Sequence, residues 1–256
     1  MPGPARAGDL DQPTTSRSRE PAACTAPVVK NGCGQAAMRM RSARRSRGKD
    51  AAQRVIRVAR DWRAASPGVF VLAIDGHGGA GKSTIADAVA RATGAALVRT
   101  DDFFQRPPVP AGGPPAPGGP AGRLVLDQYY DWRRLRAEAI EPLCAGRDAT
   151  FRRFDWDRGT GLDAGVVVRR SALILVEGVF SAAPQLADLV DRSVLVDTPE
   201  QERLRRLRAR IAPADWDPDW LIAEQAYFRQ TRPPAWFDLI VPGAGRPAGD
   251  LCGGTS

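Results

Sequence analysis

A chain of 256 residues with 43% hydrophobic content has room for one sizeable domain with tails, or at most two small ones. Its net charge of +8 suggests nucleic acid until the charges are located. Residues 1–50 carry ten basic and four acidic side chains and residues 51–256 carry 27 and 25, so the basicity belongs to the N-terminal stretch and a nucleic-acid partner is not expected of the folded part. Cys24, Cys33, Cys144 and Cys252 form no C-x-x-C pair and read as free thiols, which fits a reducing cytoplasm. No apolar run approaches the ~20 residues that span a bilayer, so no membrane association is expected.

Residues 1–48, rich in Pro, Gly, Ser, Arg and Ala, read as a disordered basic tail. A helix is expected over 50–64, where Val55, Ile56, Ala59 and Trp62 recur at helical spacing. Strand-like Val69 to Ile74 leads into Gly76-His77-Gly78-Gly79-Ala80-Gly81-Lys82-Ser83-Thr84, followed by a helix to about Thr93 with Gly94 as its C-cap. A second strand, Ala95 to Thr100, ends at Asp101-Asp102-Phe103-Phe104. The Pro/Gly/Ala segment from Gln105 to Gly122 is a long loop, and a helix is expected from Asp127 through Leu143. Phe151 to Trp156 and Val166 to Val168 suggest a hairpin. Apolar runs at 172–176 and 193–196 have the character of strands buried on both faces, and they stop at Glu177 and Asp197. Helices at about 200–211 and 217–230 and a strand at Leu239-Ile240-Val241 complete a domain over 49–243, leaving 244–256 as a flexible C-terminal tail.

Strands alternating with helices imply a parallel sheet covered on both faces, with ligands gathered at the carboxyl ends of the strands. Gly76, Asp101, Glu177 and Asp197 all fall at such ends and should face one crevice. Residues 76–84 fit the G-x-x-x-x-G-K-[ST] pattern, whose glycines let backbone N–H groups close on phosphate oxygens. In that pattern Lys82 reaches the β- and γ-phosphates and the Ser83 hydroxyl ligates magnesium. Glu177, at the exit of an apolar strand, is where a magnesium-site carboxylate belongs; the alternative is a solvated acid. Asp101 could take a proton from an attacking hydroxyl, Asp102 is its local rival, and spacing alone does not choose between them. The arginines at 203, 205, 206, 208 and 210 suit either a solvated helix face or a lid over the transferring phosphoryl group. Phe154-Asp155-Trp156-Asp157-Arg158 sets aromatic rings between charges, which suits a flat base or plain core packing.

Together these pieces, in this order, resemble the uridine kinase family of phosphate-loop kinases, a branch shared with phosphoribulokinase and bacterial pantothenate kinase. The resemblance rests on Ile74-Asp75-Gly76 through Thr84, Asp101-Asp102-Phe103-Phe104, Tyr130-Asp131-Trp132, Phe154 to Arg158, Val176-Glu177-Gly178 and the Arg203/Arg206/Arg210 spacing. It implies a three-layer α/β fold of P-loop kinase type, with a parallel sheet of about five strands, a small hairpin and an Arg-rich lid. It further implies Asp101 as general base, Glu177 with Ser83 at magnesium, and Asp127 on ribose hydroxyls. Phe154 and Trp156 would flank a base, Arg158 is a candidate for reading it, and Arg206 and Arg210 would be the lid arginines. Three positions depart from the family: Phe104 stands for a tyrosine, the hairpin lacks a histidine, and Ile211 replaces an aspartate.

The function expected is therefore magnesium-dependent phosphoryl transfer from ATP, with GTP as the alternative donor, to the 5′-hydroxyl of uridine or cytidine. Other acceptors in the same class are a sugar phosphate, a pantothenate-like precursor or a nucleoside monophosphate. The reading outside that class is a nucleotide-binding regulatory protein. The expected partner is a small-molecule hydroxyl acceptor, in a cytoplasmic protein whose oligomeric state is open.

Overall fold

The computed structural model describes residues 50–105, 129–210 and 218–243. The expectations for the 1–48 tail, for most of the 105–122 loop and for the 244–256 tail fall outside these residues, as do Asp127 and Ile211. Five parallel strands form the central sheet in the order β2-β5-β1-β6-β7: β1 (Phe70–Asp75), β2 (Ala96–Arg99), β5 (Leu173–Glu177), β6 (Arg192–Asp197) and β7 (Leu239–Pro242). β3 (Ala149–Phe154) and β4 (Leu162–Val168) make a separate antiparallel hairpin. The helices are α1 (50–64), α2 (Lys82–Thr93), α3 (132–144), α4 (Glu200–Arg208) and α5 (Pro218–Ala226). None of the described helices is long and apolar enough to cross a membrane.

β1 is buried at all six positions because it lies in mid-sheet with helices on both sides. Strand alternation divides its side chains between two cores. Phe70, Leu72 and Ile74 pack with Leu175, Val194 and Val196 beneath α1 and α2, through Val55, Ile56, Ile85 and Val89. Val71 and Ala73 join Ile174, Val176 and Leu195 on the opposite face, covered by Leu135, Ile140 and Leu143 of α3 and by Tyr227 and Phe228. Burying side chains of this kind supplies roughly 1.5–3 kcal/mol each against the entropy of ordering the chain.

Two elements differ from expectation. The helix expected from Asp127 is broken: Tyr129 is helical, Tyr130 and Asp131 are not, and α3 starts at Trp132, with the Asp131 side chain accepting the Arg134 N–H at 3.0 Å as its cap. The break falls where this stretch pairs with residues 103–105 beyond β2: Gln105 N donates to Tyr129 O and Asp131 N to Phe103 O, each at 2.9 Å. Within α3, Leu135–Ile140 is wound as a π-helix ahead of Pro142, which has no N–H to continue the regular ladder.

Strand register sets up the site. Arg99 and Glu177, the last residues of β2 and β5, stand beside each other, and Glu177 stands beside Ile74, the last but one of β1, so the three strand ends form one row at the sheet's carboxyl edge.

Candidate active site

Gly76 opens the loop at φ 144°, and a Cβ there would come within 2.5 Å of the Val196 carbonyl oxygen of β6. Gly79, at φ 74°, would meet the Arg203 carbonyl oxygen at 2.7 Å. Both glycines are required by the close approach of neighbouring backbone as well as by their dihedral angles. The loop runs into the N-terminus of α2, where the helix dipole and the first backbone N–H groups favour an anion. Lys82, itself buried, folds back so that Nζ donates to the carbonyls of Gly76 at 2.8 Å and His77 at 3.0 Å. Thr198, just beyond β6, donates its hydroxyl to Ala80 O at 2.9 Å. Its neighbour Asp197, the acid expected in the crevice, ends the strand and accepts the Gly243 N–H through its carbonyl.

The Ser83 hydroxyl donates to Glu177 Oε1 at 3.0 Å, and Arg99 Nη1 donates to Glu177 Oε2 at 2.7 Å. Arg99 also reaches Asp87 on α2 at 2.6 Å, so its guanidinium is a strut from helix to strand. Burial raises the pKa of Glu177; Lys82 and Arg99 work against that rise, and the charge of Asp101 adds to it. A hydroxyl and one carboxylate at hydrogen-bond distance form the kind of donor set magnesium uses with phosphate oxygens and water as its remaining ligands. The residues present therefore fit the metal, although no cluster of three or more ligating side chains exists among the described residues.

Asp101 sits in the short helical turn Thr100–Phe103 after β2, and its Oδ1 accepts the Tyr130 hydroxyl at 3.1 Å. Burial and the Asp101 charge push the Tyr130 phenol well above its ordinary pKa, so it remains a donor. The charged neighbours of Asp102 are Arg153 and Asp163 of the hairpin, together with Arg99 and Asp101. Burial carries its pKa up to about 6 from 3.8. An acid with a higher pKa folded than unfolded binds more protons in the native state between those values, so stability falls as pH rises through that window. Asp102→Asn is therefore expected to melt above wild type at about pH 7–8, with the gap closing below pH 3.8; thermal melts across pH check this.

The arginines of α4 divide by position. Arg206 Nη1 donates to the carbonyls of Gly79 at 3.0 Å and Ala80 at 3.3 Å, while Nε pairs with Glu202 at 3.0 Å. Arg203, buried, reaches Gly78 O at 3.3 Å. Arg205 is exposed and pairs with Glu202, and Arg210 is exposed one turn past Arg206. The loop is thus touched by Arg203 and Arg206.

At the hairpin, Phe154 and Trp156 meet edge to face with centroids 4.9 Å apart, and each also packs on Phe104, at 5.1 and 4.8 Å. The two rings contact each other, so no slot for a flat base opens between them; Trp156, 57% exposed, offers an outer face instead. Arg158 turns to solvent and pairs with Asp155 at 3.5 Å. Phe104, in the place of a tyrosine, joins this cluster as a hydrocarbon surface.

Sequence reasoning passed over three buried groups. Asp75 accepts N–H bonds from Gly76 at 2.7 Å and from Phe180 and Ala182 at 3.0 Å each. Burial raises its pKa in spite of these bonds. Tyr227 donates its hydroxyl to Asp75 Oδ2 at 2.7 Å. Glu224, 1% exposed, accepts the Gly78 N–H, and its Oε2 lies 3.1 Å from His77 Nδ1 and 3.6 Å from Arg203 Nη1. An acid ending a fully apolar strand was the available signal for Asp75. For Glu224 and Tyr227 only their helical spacing hinted at a common face.

No protein-family model matches the chain. The structure is similar to that of a possible uridine kinase from Bacillus stearothermophilus, with a TM-score of 0.53 at 21% identity over 75% of this chain and 98% of that one. A provisionally assigned fructose transport system kinase from Silicibacter sp. TM1040 aligns with a TM-score of 0.45 at 21% identity, over 69% and 91%. The chain has the fold of the uridine kinase-like P-loop kinases.

Proposed function

We propose that the protein is a magnesium-dependent kinase that transfers the γ-phosphoryl group of ATP to a small-molecule hydroxyl, the 5′-hydroxyl of uridine or cytidine. The observation that carries this reading is the meeting of Ser83 and Glu177 at 3.0 Å beside the glycine loop, with the charge of Asp101 felt at Glu177. In the reaction, Lys82 exchanges its loop carbonyls for β- and γ-phosphate oxygens, and the loop amides hold the rest of the triphosphate. Ser83 and Glu177 would hold magnesium, which when bound would neutralise charge on the phosphate oxygens. Asp101, with one oxygen fixed by Tyr130, uses the other to accept the proton of the attacking hydroxyl. Arg206 stands on the loop to meet charge developing on the transferred group, and Arg210 joins it if α4 closes further.

A second acceptor class is favoured by the hairpin itself. Phe104 and Phe154 present hydrocarbon rings and Trp156 adds a single indole N–H donor, with no acceptor, which suits an acceptor with a less polar ring than uracil or cytosine. An acceptor screen with purified protein, Mg-ATP and a panel of nucleosides, nucleoside monophosphates, sugar phosphates and vitamin precursors tests both. Phosphorylated uridine or cytidine is the expected product. Turnover confined to another class reassigns the acceptor, and no turnover with any member removes the kinase reading.

Arg99 makes a separate prediction. Without its strut, Glu177 is free to turn both oxygens away from Ser83. Arg99→Met is expected to raise the magnesium concentration needed for half-maximal nucleotide binding by about tenfold, as losing the group that orients a metal's carboxylate does. Mn2+ titration followed by electron paramagnetic resonance, with ADP bound, reads this directly.

A further inference from the structure

Helix α5 turns one face toward both halves of the site. Trp220, Glu224 and Tyr227 are spaced four and three residues apart and so stack along one side of a helix. Trp220 meets the rings of Tyr129 at 5.0 Å and Phe180 at 5.3 Å, in the aromatic cluster that also contains Phe104. One turn on, Glu224 takes the Gly78 N–H and faces His77. Tyr227, in the π-helical turn that extends α5, holds Asp75, which in turn takes the Gly76 N–H. The N–H groups of Gly76 and Gly78 are therefore each held by a carboxylate tied to one helix, and the His77 ring between them faces the second carboxylate.

Glu224 is an unusual group to find beside a phosphate site, since an anion there opposes the ligand. Burial works against its carboxylate, yet His77, the Gly78 N–H and Lys82 together hold its pKa below the ordinary value. With Arg203 also 3.6 Å away, its charge is locally balanced. Its main effect on a bound phosphate is then through loop geometry and only weakly through the field.

We propose that Glu224 is a positioning residue that sets the backbone of His77 and Gly78 for phosphate. On this reading α5 is the rigid part through which the glycine loop and the acceptor wall keep one relative geometry. The inference rests on the nucleotide-binding reading given above and adds to it a residue outside the phosphate-loop motif.

The test is calorimetric titration of the full chain with Mg-ADP. Wild type binds, and Glu224→Ala is expected to bind about tenfold more weakly or worse, because a buried loop amide loses its acceptor. Glu224→Gln keeps an oxygen for the Gly78 N–H and is expected to stay within about threefold of wild type. Tyr227→Phe, which takes one donor from Asp75, is expected to weaken binding about threefold. Hydrogen exchange on wild type adds a readout independent of any substitution: Mg-ADP should slow exchange over 220–228 and leave the 50–64 helix unchanged. Alanine binding like wild type overturns the proposal. Glutamine as weak as alanine also overturns it, since charge would then be the operative property. Unchanged exchange over 220–228 overturns the role of α5. If Glu224→Ala does not give a cooperative melt, Glu224→Gln, Tyr227→Phe and the exchange experiment decide. A wild type that fails to bind Mg-ADP is a different result: it removes the nucleotide reading itself.

Discussion

Lys82→Ala is expected to abolish phosphoryl transfer and to weaken Mg-ATP binding at the same time. Nζ is the one ammonium group the described structure brings to the loop, 2.8 Å from Gly76 O and 3.0 Å from His77 O. Only Lys30 and Lys49 exist besides it, and both lie outside the described residues. No neighbouring lysine can substitute, and Arg206 is already engaged with Gly79 O and Glu202. A cation aimed at charge that builds in the transition state is worth at least about a hundredfold in turnover. Part of the loss should also appear in binding, because the same cation meets the ground-state phosphates. Steady-state kinetics paired with equilibrium titration of a non-hydrolysable ATP analogue separates the two. Retention of both properties would leave the loop without a nucleotide role.

Asp101→Asn is expected to divide those properties. The asparagine keeps the shape and still accepts a hydrogen bond from Tyr130, but it cannot take a proton. Turnover should fall by about 10²–10⁴-fold, the usual contribution of a general base, while the affinity for Mg-ATP stays within about threefold. The parallel Asp102→Asn change is the control. Burial raises the pKa of Asp102, whose charged neighbours include Arg153 and Asp163 of the hairpin as well as Arg99 and Asp101, so its loss should alter stability with pH far more than it alters turnover. If Asp102→Asn is the slow enzyme and Asp101→Asn the normal one, the two carboxylates exchange roles and the acceptor must enter from the hairpin side.

The contrast between these two acids shows where the sequence was informative. The strands were legible because each is a short, nearly unbroken apolar run, the pattern that burial on both faces of a parallel sheet demands. The loop was legible because its glycines and lysine answer a local geometric requirement within nine residues. Long-range pairings were not. Tyr130 reaches Asp101 across 29 residues, Glu224 reaches Gly78 across 146, and Tyr227 reaches Asp75 across 152. Nothing in the periodicity of either partner announces the other. The break before α3 has the same origin, since Tyr130 and Asp131 read as helical until their stretch is claimed by 103–105. The hairpin was found, but its rings were expected to flank a ligand and in the structure they rest against one another.

The distance along the chain between the glycine loop and α5 bears on how the protein comes to exist on the ribosome. The loop is synthesised in the first third, yet the groups that hold Gly76 and Gly78 in place belong to residues 75, 224 and 227. A nascent chain that ends before α5 can already possess β1, α2 and the loop contacts of Thr198, Arg203 and Arg206, while its glycine turn still lacks the Glu224 and Tyr227 anchors. On the nucleotide-binding reading, the full set of loop contacts is acquired only as α5, the last of the described α-helices, leaves the exit tunnel and docks, later than the motif that encodes it.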